Sequence, residues 1–169
     1  TTIANSSDGN RIIIGSPFHN IDRDLINFTH SRPHLGQVKV LDWDGAAWKQ
    51  VGNKIDGDIL DGNFGEAVSM SSDGSRIAIG APSPYTTAVE GHGNGSVKIY
   101  DWSGSAWTQV GTTINFEIAG EEFGRSVVLS NDGSKVAIGS PESDTVRIYS
   151  WSGSVWTKTA ECQAESTGY

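Results

Sequence analysis

An Asp-Gly pair set between alternating apolar residues occurs three times in this chain of 169 residues, at Asp8-Gly9, Asp73-Gly74 and Asp132-Gly133. The intervals are 65 and 59 residues, and self-similarity at such a period marks an array of like units rather than one irregular core. Asp-Gly in this setting is also the strongest short-range hairpin signal, because both central positions of a tight turn need positive φ and these residues tolerate it best. A two-residue turn centred there pairs Met70 with Ile77 and Val68 with Ile79 in the second copy. In the third it pairs Leu129 with Val136 and Val127 with Ile138. One hairpin face is then apolar in both copies, which fixes the register. In the first copy Asn5 takes the place of Met70 and Leu129.

A second pattern follows in each copy: Val38 to Trp48, Val97 to Trp107 and Val146 to Trp156. Read as a hairpin with a two-residue loop, it sets Trp43 opposite Trp48, Trp102 opposite Trp107 and Trp151 opposite Trp156. All six tryptophans are thereby used in one repeated feature. Aromatic cross-strand pairs pin such a hairpin and pack between sheets. The alternative reading of the same six residues is a stacking platform for sugars.

Each copy therefore carries four strands in up-and-down order, and no stretch of about 10 residues or more has a helical period. The third strands are apolar or aromatic on both sides, as Val97, Ile99, Tyr100 and Trp102 illustrate, which a one-sided sandwich would not require. Four-stranded sheets covered on both faces are the blades of a β-propeller. The expectation is an all-β chain of three blades, residues 1–63, 64–122 and 123–169. Propellers close with about four to eight blades, so three imply a segment of a larger array or a protomer closed by association with further blades, in cis or in another chain.

The ends of the first hairpin carry a family resemblance. Phe64-Gly65 with Gly80-Ala81-Pro82, Phe123-Gly124 with Gly139-Ser140-Pro141, and Gly15-Ser16-Pro17 in the first copy resemble the FG-GAP repeats of integrin α-subunit propellers and their microbial and algal relatives. The resemblance implies a propeller whose ligands bind on one loop face. It also implies calcium loops between the first two strands, but here those connections hold one carboxylate each, at Asp8, Asp73 and Asp132. A tight turn with one carboxylate cannot surround a calcium ion, so the family's metal sites do not carry over.

The formal charge of −8 argues against nucleic acid and anionic membrane surfaces as partners. No apolar run approaches the roughly 18 residues of a membrane span. Cys162 is alone, so it forms no disulfide within the chain. Sequons for N-linked sugar occur at Asn5, Asn27 and Asn94. Asn5 falls on the apolar side of its hairpin, which leaves Asn27 and Asn94, in inter-strand connections, as the candidate glycan acceptors of a secreted or cell-surface protein.

The connections between strands two and three differ most between copies. From the motif proline to the first valine of strand three they span 21, 15 and 5 residues. Variable loops on a repeated scaffold are where binding resides. Phe18, His19, Asp22, Arg23, Asp24 and His34 in the first loop, with His92 in the second, are the candidate partner contacts. The connections from strand four to the next copy are acidic, and Asp56, Asp58 and Asp61 form a candidate for weak calcium binding, with Leu60 where a third oxygen ligand would stand. No cofactor is otherwise expected. The sequence contains no nucleophile elbow, zinc-binding H-E-x-x-H, C-x-x-C or phosphate-binding loop. The sequence thus points to a non-catalytic extracellular adhesion module binding a protein partner. Two alternatives are a lectin-like propeller using the Trp pairs for a glycan ligand, and part of an enzyme whose active site lies outside this segment.

Overall fold

The computed structural model describes residues 1–19, 34–59, 61–82, 94–115 and 120–163. Among them there is no α-helix; one 3-10 turn, Pro141–Ser143, is the only helical element. Among the described residues fourteen strands form three antiparallel sheets, none closed into a barrel. The first sheet contains β1 (Thr2–Asn5), β2 (Arg11–Ser16), β3 (Gln37–Trp43), β4 (Trp48–Gln50) and β5 (Ile55–Asp56). The second contains β6 (Ala67–Met70), β7 (Arg76–Ala81), β8 (Ser96–Trp102), β9 (Trp107–Gln109) and β10 (Ile114–Asn115). The third contains β11 (Ser126–Leu129), β12 (Lys135–Ser140), β13 (Thr145–Trp151) and β14 (Trp156–Gln163).

The Asp-Gly hairpins have the register read from the sequence, with Met70 opposite Ile77, Val68 opposite Ile79, Leu129 opposite Val136 and Val127 opposite Ile138. Their turns have a different shape. Gly74 N donates to Ser71 O at 2.9 Å, so Ser72 and Asp73 occupy the centre, and only Gly74, at φ +70°, is left-handed. This is a type I turn followed by a left-handed glycine rather than a two-residue turn with two positive φ angles. The carboxylate stabilises it: Asp73 Oδ1 accepts from Ser71 Oγ at 2.7 Å and from Ser75 N at 2.9 Å. Widening the loop by one residue on each side leaves every strand pair unchanged, so the register survives the error in turn type.

All three Trp pairs form as expected. Gly45, at φ +97°, occupies the first central position, the signature of a type II′ hairpin. The fourth strand, however, is interrupted in the first two sheets. Between the Trp43–Trp48 and Val38–Ile55 pairs, five steps along β3 are matched by seven on the other side. The surplus bulges at Gly52, whose φ of +69° glycine alone adopts without cost. In the third sheet the surplus is a single residue, and β14 runs unbroken to Gln163.

Neighbouring sheets pack face to face. Ile13, Val38 and Val40 of the first sheet meet Met70, Ile77 and Ile79 of the second, with Phe64, which precedes β6, in the same cluster. Ala78, Val97 and Ile99 on the other face of the second meet Phe123, Val127, Leu129, Val136 and Ile138 of the third. The Phe-Gly and Gly-Ala-Pro stretches make this approach possible. A Cβ on Gly15 would lie 2.1 Å from the carbonyl oxygen of Gly65, and one on Gly80 equally close to that of Gly124, so only glycine admits the next sheet's backbone. The turns are linked as well: Ser7 N donates to Ser72 O and Ser72 N to Asn131 O, at 2.8 and 2.9 Å.

Candidate functional site

Two regions collect the chemistry. The first is at the ends of strands two, three and four, where the long connections begin. Phe18 is exposed, and its ring meets His34 edge-on, with centroids 5.7 Å apart. His34 N donates to Asp61 Oδ1 at 3.1 Å and Asp61 N to His34 O at 2.8 Å, while Gly36 N donates to His19 O at 3.3 Å. Phe18, His19 and His34 are thus brought together, joined by Asp61, which the sequence had placed with Asp56 and Asp58. Asp22, Arg23, Asp24, Asn27 and His92 lie outside the described residues. Asn94 is half-buried. Asn5 is exposed, contrary to its expected burial, because no described sheet packs on the face of the first sheet that it occupies.

The acidic connections are committed to separate partners. Asp56 Oδ1 accepts from Gln37 Nε2 at 2.7 Å, and Asp58 Oδ2 from Lys98 Nζ at 2.6 Å, with Lys98 also above the Phe64 ring. Glu121 meets the buried Arg147 at 3.3 Å. Among the described residues no three His, Cys, Asp or Glu side chains are grouped to hold an ion. Close to this region, burial and then the charge of Asp58 push the Tyr100 phenol up to about 12.

The second region lies at the opposite ends of the sheets, where the tryptophans are. Arg11 donates through Nε and a terminal nitrogen to the two oxygens of Asp42, at 2.6 and 2.7 Å, and through its other terminal nitrogen to Gly74 O at 3.0 Å. Its guanidinium sits 5.8 and 5.9 Å from the rings of Trp102 and Trp107 in the next sheet. Arg76 repeats the arrangement with Asp101, Gly133 O, Trp151 and Trp156. The bonded carboxylates hold both guanidinium pKa values above their ordinary range. Trp107 Nε1 and Trp156 Nε1 then donate back to Val51 O and Val110 O of the preceding sheets, at 3.2 and 3.1 Å. Gly52 and Gly111 are needed again here, since a Cβ on either would lie within 3 Å of Trp102 or Trp151.

Four of the six tryptophans are therefore inter-sheet contacts rather than a sugar platform; Trp43 and Trp48 alone are exposed. Sequence reasoning missed the Arg–Asp locks that cover the other four. The signal was present: Arg11 and Asp42 recur together as Arg76 and Asp101, and both are replaced in the third copy, by Lys135 and Ser150.

No family model matches the chain, and no curated protein matches it. Among solved structures, the fold is similar to that of a Bacteroides fragilis protein provisionally named a 6-phosphogluconolactonase, with a TM-score of 0.60 and 11% identity over 96% of this chain. It is also similar to a functionally unknown protein from Desulfotomaculum acetoxidans, with a TM-score of 0.58 and 15% identity over 95% of this chain. The chain spans 38% and 40% of the lengths of those two structures. This finding corrects the expectation of a non-catalytic adhesion module. The fold is shared with a structure named as an enzyme, which brings the part-of-an-enzyme alternative forward in its place.

Proposed function

We propose that the three sheets are consecutive blades of a β-propeller, and that the chain is scaffold for a propeller enzyme whose catalytic groups lie outside the described residues. The observation that carries this reading is the fold likeness itself, 96% of the chain laid on 38% of a structure named for lactone hydrolysis. Two repeated junctions support the blade reading, because each sheet of a propeller must present one face to the blade before it and one to the blade after it. Function on such folds resides in sites grafted onto the scaffold, so the lactonase name selects the first substrate class to assay.

The test is hydrolysis of 6-phosphogluconolactone and of unphosphorylated gluconolactone, followed by proton release. The 169-residue chain and a polypeptide carrying it with further sheets are compared. The longer polypeptide is expected to exceed the uncatalysed rate, with the chain alone adding nothing. A longer polypeptide no faster than buffer, or full activity in the chain alone, would overturn the proposal.

A further inference from the structure

Both internal junctions are built alike, and each has a direction. The leading sheet gives an Arg–Asp pair, a glycine at the bulge of its fourth strand and an acidic residue from the connection that follows. The next sheet receives these with a Trp pair and a cation on its third strand. At the first junction Arg11–Asp42, Gly52 and Asp58 are received by Trp102, Trp107 and Lys98. At the second, Arg76–Asp101, Gly111 and Glu121 are received by Trp151, Trp156 and Arg147.

The first sheet carries a complete receiving set on which no described residue is packed. Trp43 and Trp48 hold the tilted pair with centroids 5.6 Å apart, yet each is 41% exposed, against 8% for Trp156. Lys39, the counterpart of Lys98 and Arg147, is exposed. Ile3, the counterpart of the buried Val127, is 68% exposed. Strand register puts Ile3 and Lys39 on either side of Ile14, and pleat alternation puts Trp43 and Trp48 on the same face. That face is the reverse of the one through which Ile13, Val38 and Val40 meet the second sheet.

We propose that this face docks a sheet of the same repeat type, one that lays an arginine, paired with its own aspartate, over Trp43 and Trp48 and sets a carboxylate on Lys39. Continuity with the two internal junctions and the match of charge identify the occupant. The third sheet of a second copy is the wrong partner. Lys135 and Ser150 stand where the lock needs Arg and Asp, and Ala160 stands where Gly52 and Gly111 leave room for a Trp ring. The substitutions therefore discriminate against end-to-end self-association. The occupant's fold rests on the blade reading above, but the readout is association rather than lactone turnover, so either can fail alone.

Giving the third sheet the missing set, through Lys135→Arg, Ser150→Asp and Ala160→Gly, turns the chain into its own partner. Sedimentation velocity should find the wild-type chain monomeric and the folded triple variant self-associating about tenfold more tightly or better. Adding Trp43→Ala with Trp48→Ala should abolish the association. Adding Lys39→Glu, at an exposed side chain on the outer face of β3, should weaken it, and circular dichroism checks that each variant is folded. A folded triple variant that associates no better than wild type, or whose association is indifferent to Trp43, Trp48 and Lys39, would overturn the proposal. So would saturable binding of simple sugars at Trp43 and Trp48 in the wild-type chain.

Discussion

Substituting alanine for Gly80 and, separately, for Gly139 makes the same change at equivalent positions of two copies, and the structure predicts opposite outcomes. Both glycines are in extended strands, so alanine meets no backbone strain at either. At Gly80 the new Cβ would lie 2.1 Å from the carbonyl oxygen of Gly124 in the third sheet. Backbone cannot rotate away, and relief requires the sheets to separate by roughly 1 Å, a gap that forfeits a quarter to a half of the dispersion attraction across it. The separation would loosen the packing of Ala78, Val97 and Ile99 on Phe123 and Val127. It would also stretch the bonds from Leu129 N to Ser69 Oγ and from Ser72 N to Asn131 O, worth about 0.5–1.5 kcal/mol each. With overpacking at about 1–3 kcal/mol, the expected loss is about 2–6 kcal/mol. At Gly139 the first obstacle is the hydroxyl of Ser126, which can rotate. Alanine there should fall within about 1 kcal/mol of wild type, on the stabilising side when combined with Ser126→Ala. Urea unfolding followed by tryptophan fluorescence measures both. Equal losses at the two positions would show that the approach of the Gly124 carbonyl is not what requires glycine at position 80.

Three further outcomes follow from the same geometry. Gly74→Val should cost about 1–3 kcal/mol in urea unfolding, because a β-branched residue resists φ +70°; an unchanged midpoint would contradict the turn described. Trp156→Ala should destabilise by about 3–5 kcal/mol, as for other buried aromatic residues, and Trp48→Ala by much less, since the former is 8% and the latter 41% exposed; similar losses would mean that the two faces are equally covered. The Asp132 carboxylate accepts from Ser130 Oγ and from Ser134, which lowers its pKa to about 2 from 3.8. Because the folded pKa is depressed, its stabilising contribution is complete above the unfolded value and is lost as pH falls from about 4 towards 2. Carbon-detected NMR titration should place Asp132 in that window and Ser130→Ala should move it upward, whereas titration at the ordinary value in the folded protein would contradict the hydrogen-bonded turn.

The strand pairs were legible because period-two alternation and the Asp-Gly and Trp spacings agree on a single register. The turn type was not, because one positive φ at glycine serves the type I turn as well as two serve the alternative, and both preserve the pairs. The break in the fourth strand has no local signature of this kind: what sets Gly52 and Gly111 apart is the approach of Trp102 and Trp151 from the next sheet, a contact between residues distant in sequence. The functional reading failed where the sequence is least restrictive. Loop variability and an adhesion-family resemblance say where partners could bind, but a likeness of sheet arrangement at 11% identity leaves no trace in short motifs. The Arg–Asp locks fell between these cases, visible as paired changes among copies but without meaning until the sheets were set face to face.

The central claim is that consecutive sheets stack with the arginine of one on the tryptophans of the next, and a double-mutant cycle between Arg76 and Trp156 tests it most directly. The single variants Arg76→Ala and Trp156→Leu and their combination are compared by urea unfolding, with Trp48→Leu as the control partner. The account predicts a coupling between Arg76 and Trp156 of about 0.5–2 kcal/mol, as expected for a cation over a desolvated aromatic face, and none between Arg76 and Trp48. Additive losses for Arg76 and Trp156, within about 0.3 kcal/mol, would contradict it.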